Sequence, residues 1–305
     1  MTALRSCELC GAPPERQTRT WPDARIGSAS YGYVTCGECG LVFCNPLPNP
    51  SDQAAFHRDQ YAADASAEPE RLHKMDPEHS RQRLYSPAYQ RWAKGLLERL
   101  ASRAPAERSG QIRFLEVGCA SGGILKAARE LGMSPVGVEV SPEAAAHGRR
   151  EEKLDIRIGL LEQLGLPAAS FDIVLLHDVV EHVPSPMSLL RECVRLLARG
   201  GILCLHTVNV ESATARYAGK DFYLADVTGG HIVLFSPSTL KRYGAVLGLE
   251  VLALETRGFR LVQREGDRER MGWRRPFVRL AENLGHELVK RTGRGHFVLL
   301  IARKP

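Results

Sequence analysis

At 305 residues, 44% hydrophobic and 25% charged, the chain can bury a full core, as one large domain with an appendage or as two domains; a disordered or fibrous protein is excluded. Its net charge of +6 is uneven, because residues 257–305 hold 13 Lys or Arg against 5 Asp or Glu while the remainder is slightly acidic. No apolar run approaches the roughly 18–20 residues that span a bilayer, and the opening MTALRSCELC lacks the apolar centre of a secretory signal; a cytoplasmic protein with no membrane contact is expected.

In a cytosolic chain of this length eight cysteines do not suggest a disulfide framework. Cys7-Glu-Leu-Cys10-Gly11 and Cys36-Gly-Glu-Cys39-Gly40 are two Cys-x-x-Cys turns 25 residues apart. Each turn lets two thiolates converge on one tetrahedral ion, and each trailing glycine permits a tight backbone knuckle. Four soft thiolates suit Zn²⁺, and with all four positions filled by protein the metal is expected to be structural. One short strand candidate, Ser30 to Thr35, lies between the pairs, a pattern that resembles a zinc ribbon. Residues 45–80 are rich in Pro, Ala, Asp and His and read as a linker with irregular or short helical structure. From Ser80 to Arg103, Leu84, Tyr85, Tyr89, Trp92, Leu96, Leu97 and Leu100 recur at helical spacing.

From Ile112 onward, strands alternate with helices. IRFLEVG, SPVGVEV, DIRIG, FDIVLLH, GILCLHTVN, LEVLALET and HFVLLIAR read as seven strands, with helices at 122–131, 142–152, 186–198 and 237–247, three of them with proline just inside the start. That order predicts an α/β fold, a doubly wound, mainly parallel seven-stranded sheet. The divisions expected are a ribbon segment at 1–48, a linker and helical cover at 49–110, and the α/β domain at 111–305.

The first strand runs through Glu116 into Gly118-Cys119-Ala120-Ser121-Gly122. Such a small-residue turn lets a ligand approach the backbone at the carboxyl edge of the sheet. A glycine-rich turn alone also fits a dinucleotide fold, but Glu116 would repel a pyrophosphate and suits a cationic ligand. Glu139 ends the second strand and is placed to accept hydrogen bonds from both hydroxyls of a ribose. LEVGCASGG, GVEVSP, LPAASFDIVLLHDVVEHVPSP and LLARGGILCLHTVN together resemble the class I S-adenosylmethionine-dependent methyltransferases, with a Rossmann-like sheet, over about Ile112 to Arg303; Ala120 stands where that family often has glycine. The resemblance implies that Glu116 and the turn Gly118, Cys119, Ala120, Ser121 and Gly122 hold the methionine end of S-adenosylmethionine. It also implies that Glu139 and Val140 take the ribose, that Leu160 and Leu161 flank the adenine, and that His177 and Asp178 line the sulfonium region. The N-terminal half looks like the zinc-ribbon methyltransferases associated with bacterial glycan and natural-product pathways.

Methyl transfer from a sulfonium is an in-line displacement that needs a base only when the acceptor must lose a proton. His182, His231 and Asp178 are the candidates for that work, because histidine titrates near neutrality and both histidines follow strand ends near the acceptor side. Tyr217, Phe222 and Tyr223 are candidate pocket walls. The expected function is methyl transfer to a small-molecule or glycan acceptor, on oxygen. The alternatives are an RNA methyltransferase gripping phosphates with the ribbon and basic tail, or a binding module that keeps the fold without turnover. Against RNA, residues 1–50 carry only Arg5, Arg16, Arg19 and Arg25 as basic residues, with no aromatic stacking pattern among them.

Overall fold

The structure, a computed structural model, describes residues 4–20, 24–26, 29–48, 82–105, 110–219, 222, 230–259 and 274–305. The linker expected at 45–80 lies almost wholly outside the described residues, as do Tyr223 and most of the segment before His231. The N-terminal part holds β1 (Gln17–Arg19), β2 (Ala24–Ile26), β3 (Ala29–Tyr31), β4 (Tyr33–Cys36) and β5 (Val42–Cys44). The strand expected over Ser30 to Thr35 is two strands broken at Gly32, β3 pairing with β2 and β4 lying between β1 and β5.

Helix α1 (Pro87–Ala101) covers the following sheet, and all seven expected strands form: β6 (Arg113–Val117), β7 (Ser134–Glu139), β8 (Ile156–Ile158), β9 (Phe171–His177), β10 (Leu197–Val208), β12 (Glu250–Arg257) and β13 (Phe297–Arg303). Between them run α2 (Gly123–Glu130), α3 (Pro142–Arg150), α4 (Pro186–Leu196), α5 (Ala213–Ala218), α6 (Pro237–Val246) and α7 (Arg275–Thr292), with a two-residue strand, β11 (Val233–Leu234), before α6. The sheet order is β12-β13-β10-β9-β6-β7-β8, and β13 runs antiparallel to both its neighbours. Helix α7 falls in the basic stretch, at residues where the sequence reading places no helix.

Four helices begin on the dipeptide Ser-Pro, at Ser86, Ser141, Ser185 and Ser236. Each serine accepts a hydrogen bond from a backbone N–H of the first turn, and each proline occupies a position whose N–H has no helical partner. Both faces of the sheet are covered, which is why its central strands read as unbroken apolar runs. On one face Leu115, Val174, Leu176, Leu203 and Leu205 pack with Leu190 and Cys193 of α4 and Leu240 and Tyr243 of α6. On the other, Phe114, Ile173, Leu175 and Ile202 meet Ala93, Leu97 and Leu100 of α1 and Ile124 and Leu125 of α2.

The ribbon is not a separate bead. Strand β11 pairs with β5, Val233 opposite Phe43, so a segment of the α/β domain supplies the fourth strand of the ribbon sheet. Cys7, Leu9, Leu41 and Phe43 join the same core as Val233, Phe235 and Tyr243. Glu8, inside the first Cys-x-x-Cys, accepts from the Tyr243 hydroxyl and from Ser185 Oγ at 3.0 Å, and Arg5 donates to Pro184 O at 2.9 Å.

Candidate functional site

The turn after β6 is held open by three residues with positive φ: Gly118 at 70°, Ala120 at 47° and Gly122 at 84°. Gly118 donates its N–H to Val138 O at 2.7 Å, which draws the turn over the end of β7. A Cβ on Gly118 would overlap Cγ2 of Val179, so glycine is required there by space as well as by φ. Ala120 accepts the left-handed conformation at a small steric cost. Its N–H donates to Glu139 Oε2 at 2.9 Å, and Ser141 N–H donates to Oε1 at 2.9 Å.

Glu139 is only 5% exposed and Glu116 4%. Burial, and then the neighbouring Glu139, push the Glu116 carboxyl well above its ordinary range. Burial also raises Glu139, against the N–H groups of Ser141 and Ala120, which favour the charged form. Among the described residues Glu116 Oε2 has no hydrogen-bond partner, and neither has the buried Ser121 Oγ. Two buried carboxyls, one with an unmatched oxygen, make a cradle for a ligand that brings positive charge and hydroxyls.

The other residues expected at this edge are arranged differently from one another. The Cys119 thiol is turned into the core under Gly137, leaving only its main chain toward the turn. The Ser121 carbonyl accepts from the Tyr85 hydroxyl at 2.6 Å, and Gly122 sits at the start of α2. Val140 and Leu160 are half exposed, whereas Leu161 is buried in the core.

Strand β9 delivers His177 to the same edge and Asp178, with φ 56°, immediately beyond it. Asp178 Oδ1 accepts from His206 Nδ1 at 2.8 Å, and the His177 and His206 rings stack at 4.4 Å. Burial holds His177 down at about 4, so it is neutral near pH 7. Burial opposes ionisation of Asp178, but the His177 and His206 contacts outweigh it and hold the carboxyl below its ordinary range. His206 was not singled out from sequence; its signal was a lone histidine at the polar end of the apolar run GILCL in β10.

The second pair of expected residues lies under the ribbon. The His182 Nδ1 is 3.0 Å from Gly230 O; since a carbonyl only accepts, Nδ1 carries the hydrogen. The His182 and His231 rings are 4.7 Å apart. Glu181 is 1% exposed, has no hydrogen-bond partner for its carboxyl oxygens among the described residues, and is pushed up to about 8 by burial and then by Asp178. The structure thus brings His182 and His231 together and commits Asp178 to His206. Of the wall candidates, Phe222 is buried against His296 and Tyr217 is exposed.

The four expected metal ligands, Cys7, Cys10, Cys36 and Cys39, bring all their sulfurs within 4.8 Å of one another. Cys7–Cys39 and Cys10–Cys36 Sγ separations are both 3.5 Å, close to the edge of about 3.8 Å for a tetrahedron with Zn–S of about 2.3 Å. Gly11 and Gly40, at φ 75° and 76°, donate back to Cys7 O and Cys36 O, so the two knuckles repeat one geometry. Burial raises the Cys7 thiol to about 11 and Cys39 higher still, whereas at Cys36 burial is outweighed by hydrogen bonds from the backbone of Cys39 and Glu38, which lower the thiol.

No helix among the described residues is long and apolar enough to cross a membrane. The chain is 33% identical over 137 residues to the ubiquinone biosynthesis O-methyltransferase of Xanthomonas oryzae pv. oryzae (strain PXO99A), a match covering 43% of this chain and 54% of that protein. It is 28% identical over 212 residues to the protein of the same name from Xanthomonas campestris pv. campestris (strain B100), covering 64% and 77%. The chain thus spans about half the length of the relative it matches at 33%. A SAM dependent methyltransferase from Archaeoglobus fulgidus superposes with a TM-score of 0.52 at 21% identity, covering 75% of this chain and 100% of that one, which establishes the class I methyltransferase fold. The family described as a methyltransferase domain matches residues 89–254, more than half of the chain, and the chain belongs to that family.

Proposed function

We propose that this protein transfers the methyl group of S-adenosylmethionine to a hydroxyl of a small-molecule or glycan acceptor in bacterial biosynthesis. The observation that carries the reading is the pair of buried carboxyls, Glu116 and Glu139, at the mouth of a turn that leaves no room for a Cβ at Gly118 or Gly122. When bound, S-adenosylmethionine supplies an activated, electrophilic methyl. Glu116 would meet the cationic methionine end, and each Glu139 oxygen, already accepting one backbone N–H, has a second lone pair for a ribose hydroxyl. Val140, Leu160 and Leu161 would border the ribose and adenine, and the main chain of residues 118–122 would line the methionine.

His177, neutral and stacked on His206, would close the sulfonium region without adding positive charge. His182 and His231 would order the loop on the acceptor side, and Asp178 would fix the ring of His206. The work of the chain is then chiefly to hold acceptor and methyl in line and to exclude water. Residues 1–48 are proposed as a structural zinc ribbon held by Cys7, Cys10, Cys36 and Cys39, residues 49–110 as linker and helical cover, and 111–305 as the catalytic domain. The relatives named as O-methyltransferases support oxygen as the acceptor atom.

Calorimetry tests the reading. S-adenosylmethionine should bind the purified chain, and Glu139→Ala should weaken it by about tenfold or more, the worth of one to two hydrogen bonds. Unchanged affinity in that variant, or no binding to the wild type, refutes it.

A further inference from the structure

Beside the site lies a second concavity to which neither the sequence nor the proposed cofactor assigns a role. It is a cavity of about 320 Å³ between α1 and the edge strands β10, β13 and β12. Its floor follows from strand register: His206 pairs with His177 on one side and Leu299 on the other, and Leu299 with Glu255. One step further along, Phe297 pairs with Arg257. Alternation puts His206, Phe297, Leu299, Glu255 and Arg257 on the face covered by α1.

The rings form a continuous wall. Trp92 of α1, 37% exposed, sets an edge against His177 at 5.1 Å, His177 stacks on His206, and His206 on Phe297 at 5.1 Å. An exposed tryptophan and a partly exposed phenylalanine facing one cavity offer a slot for a flat ring. Among the described residues that line the space, three are arginines, Arg91, Arg99 and Arg257, and one, Glu255, is a carboxylate. Glu255 takes both guanidinium nitrogens of Arg99 and also Arg257 at 3.2 Å, which leaves an excess of positive charge at the rim.

His206 also lines the cavity. Its Nδ1–H is given to Asp178, so its second ring nitrogen, Nε2, is the basic one, and Asp178 is placed to stabilise the ring once protonated. Resting on the methyl-transfer reading above, we propose that this cavity seats the acceptor, that the acceptor is an aromatic hydroxy compound carrying an anionic group, and that His206 Nε2 takes its hydroxyl proton. The anionic group lies toward Arg91 and Arg257, and the ring lies between Trp92 and Phe297. In the transfer, the acceptor oxygen bonds to the methyl carbon as the carbon–sulfur bond breaks, the sulfonium leaves as a neutral thioether, and the acceptor proton passes to His206 Nε2 and then to water. Asp178 is a positioning residue in this scheme.

The test uses the full chain and a panel of hydroxylated benzoates, among them 3,4-dihydroxybenzoate, each paired with its neutral methyl ester. An acid should quench Trp92 fluorescence, bind at least about tenfold more tightly than its ester, and be methylated. The preference should collapse toward unity in Arg91→Gln/Arg257→Gln, since each lost charge-assisted bond is worth about tenfold. His206→Asn keeps a donor for Asp178 and should bind S-adenosylmethionine and acid normally while turnover falls by about 100-fold or more. Asp178→Asn should lower kcat with little change in KM, and its pH–rate profile should shift. Equal binding of acids and esters, failure of every acid to be methylated, or wild-type turnover in His206→Asn overturns the inference. Binding of S-adenosylmethionine, measured first, tells the two failures apart: without it the methyl-transfer reading falls, and with it only the acceptor subsite does.

Discussion

The phenolic hydroxyl of Tyr33, in ribbon strand β4, donates to the main-chain carbonyl of His231, almost two hundred residues away. Two residues on, Val233 pairs with Phe43, and Ile232 N–H donates to Glu181 O at 2.8 Å. Strands β4 and β5, which flank the second cysteine pair, therefore grip the segment that carries His231 and, through it, the turn that carries Glu181 and His182. Removing the metal ligands should be felt at the site. Metal analysis of the wild type should find about one zinc per chain, and Cys7→Ser/Cys36→Ser should lose it. Hydrogen exchange should then rise first in residues 231–235, and Tyr33→Phe should loosen the same segment without releasing zinc. Unaltered exchange there in the cysteine variant would show that ribbon and loop are uncoupled.

A buried carboxyl with an unmatched oxygen destabilises the fold unless a ligand meets it, and Glu116 is such a group. Glu116→Gln removes the charge at constant shape. Thermal unfolding of the ligand-free variant at pH 8 should occur above the wild type by a few degrees, in keeping with about 1 kcal/mol or more. Affinity for S-adenosylmethionine should fall by about tenfold or more in the same variant. A stability gain with undiminished affinity would mean that the carboxylate does not face the cofactor.

Gly118 offers a steric test with a built-in rescue. Alanine there must adopt φ 70° and place its Cβ against Val179 Cγ2. Gly118→Ala is expected to cost about 1–3 kcal/mol and to displace the turn. Val179→Ala in the same chain should recover the packing part of that loss but not the φ part. Full recovery of stability would show that the overlap alone makes glycine necessary.

The α/β sheet was legible because each of its signals is local. Unbroken apolar runs such as FDIVLLH mark strands covered on both faces, and Ser-Pro marks helix starts whose caps the backbone requires. The cysteine spacing was legible for the same reason, since each knuckle closes within five residues. What escaped is long-range. β11 is two residues long and exists only because β5 lies beside it. The strand read over Ser30 to Thr35 splits at Gly32 because its two halves have different partners. Within the site, His206 looked like an interior strand residue until Asp178 and His177 were brought beside it, while Leu160 and Leu161, adjacent in sequence, fall on opposite sides of the surface.

Two buried groups set opposing slopes of stability with pH. The folded chain holds His177 at about 4 against a usual 6.5, so between those values the unfolded chain binds a proton that the folded chain refuses, and stability falls as pH falls. Glu181 is held at about 8 against a usual 4.5, so between those values the folded chain keeps a proton that the unfolded chain has lost, and stability falls as pH rises. Where the windows overlap the slopes oppose, and above pH 6.5 only the Glu181 slope of this pair remains. From pH 6.5 to 8 it should remove about 2 kcal/mol, at about 1.4 kcal/mol per pH unit. Glu116 and Glu139, also raised, add to the same direction. Denaturant unfolding of the metal-loaded, cofactor-free chain across this range should therefore show falling stability, and Glu181→Gln should flatten the slope by close to one proton. His177→Asn should leave the slope above pH 6.5 unchanged and reduce only the acid-side loss. An unchanged slope in Glu181→Gln would mean that this carboxyl is ionised in the folded chain and has found a partner there.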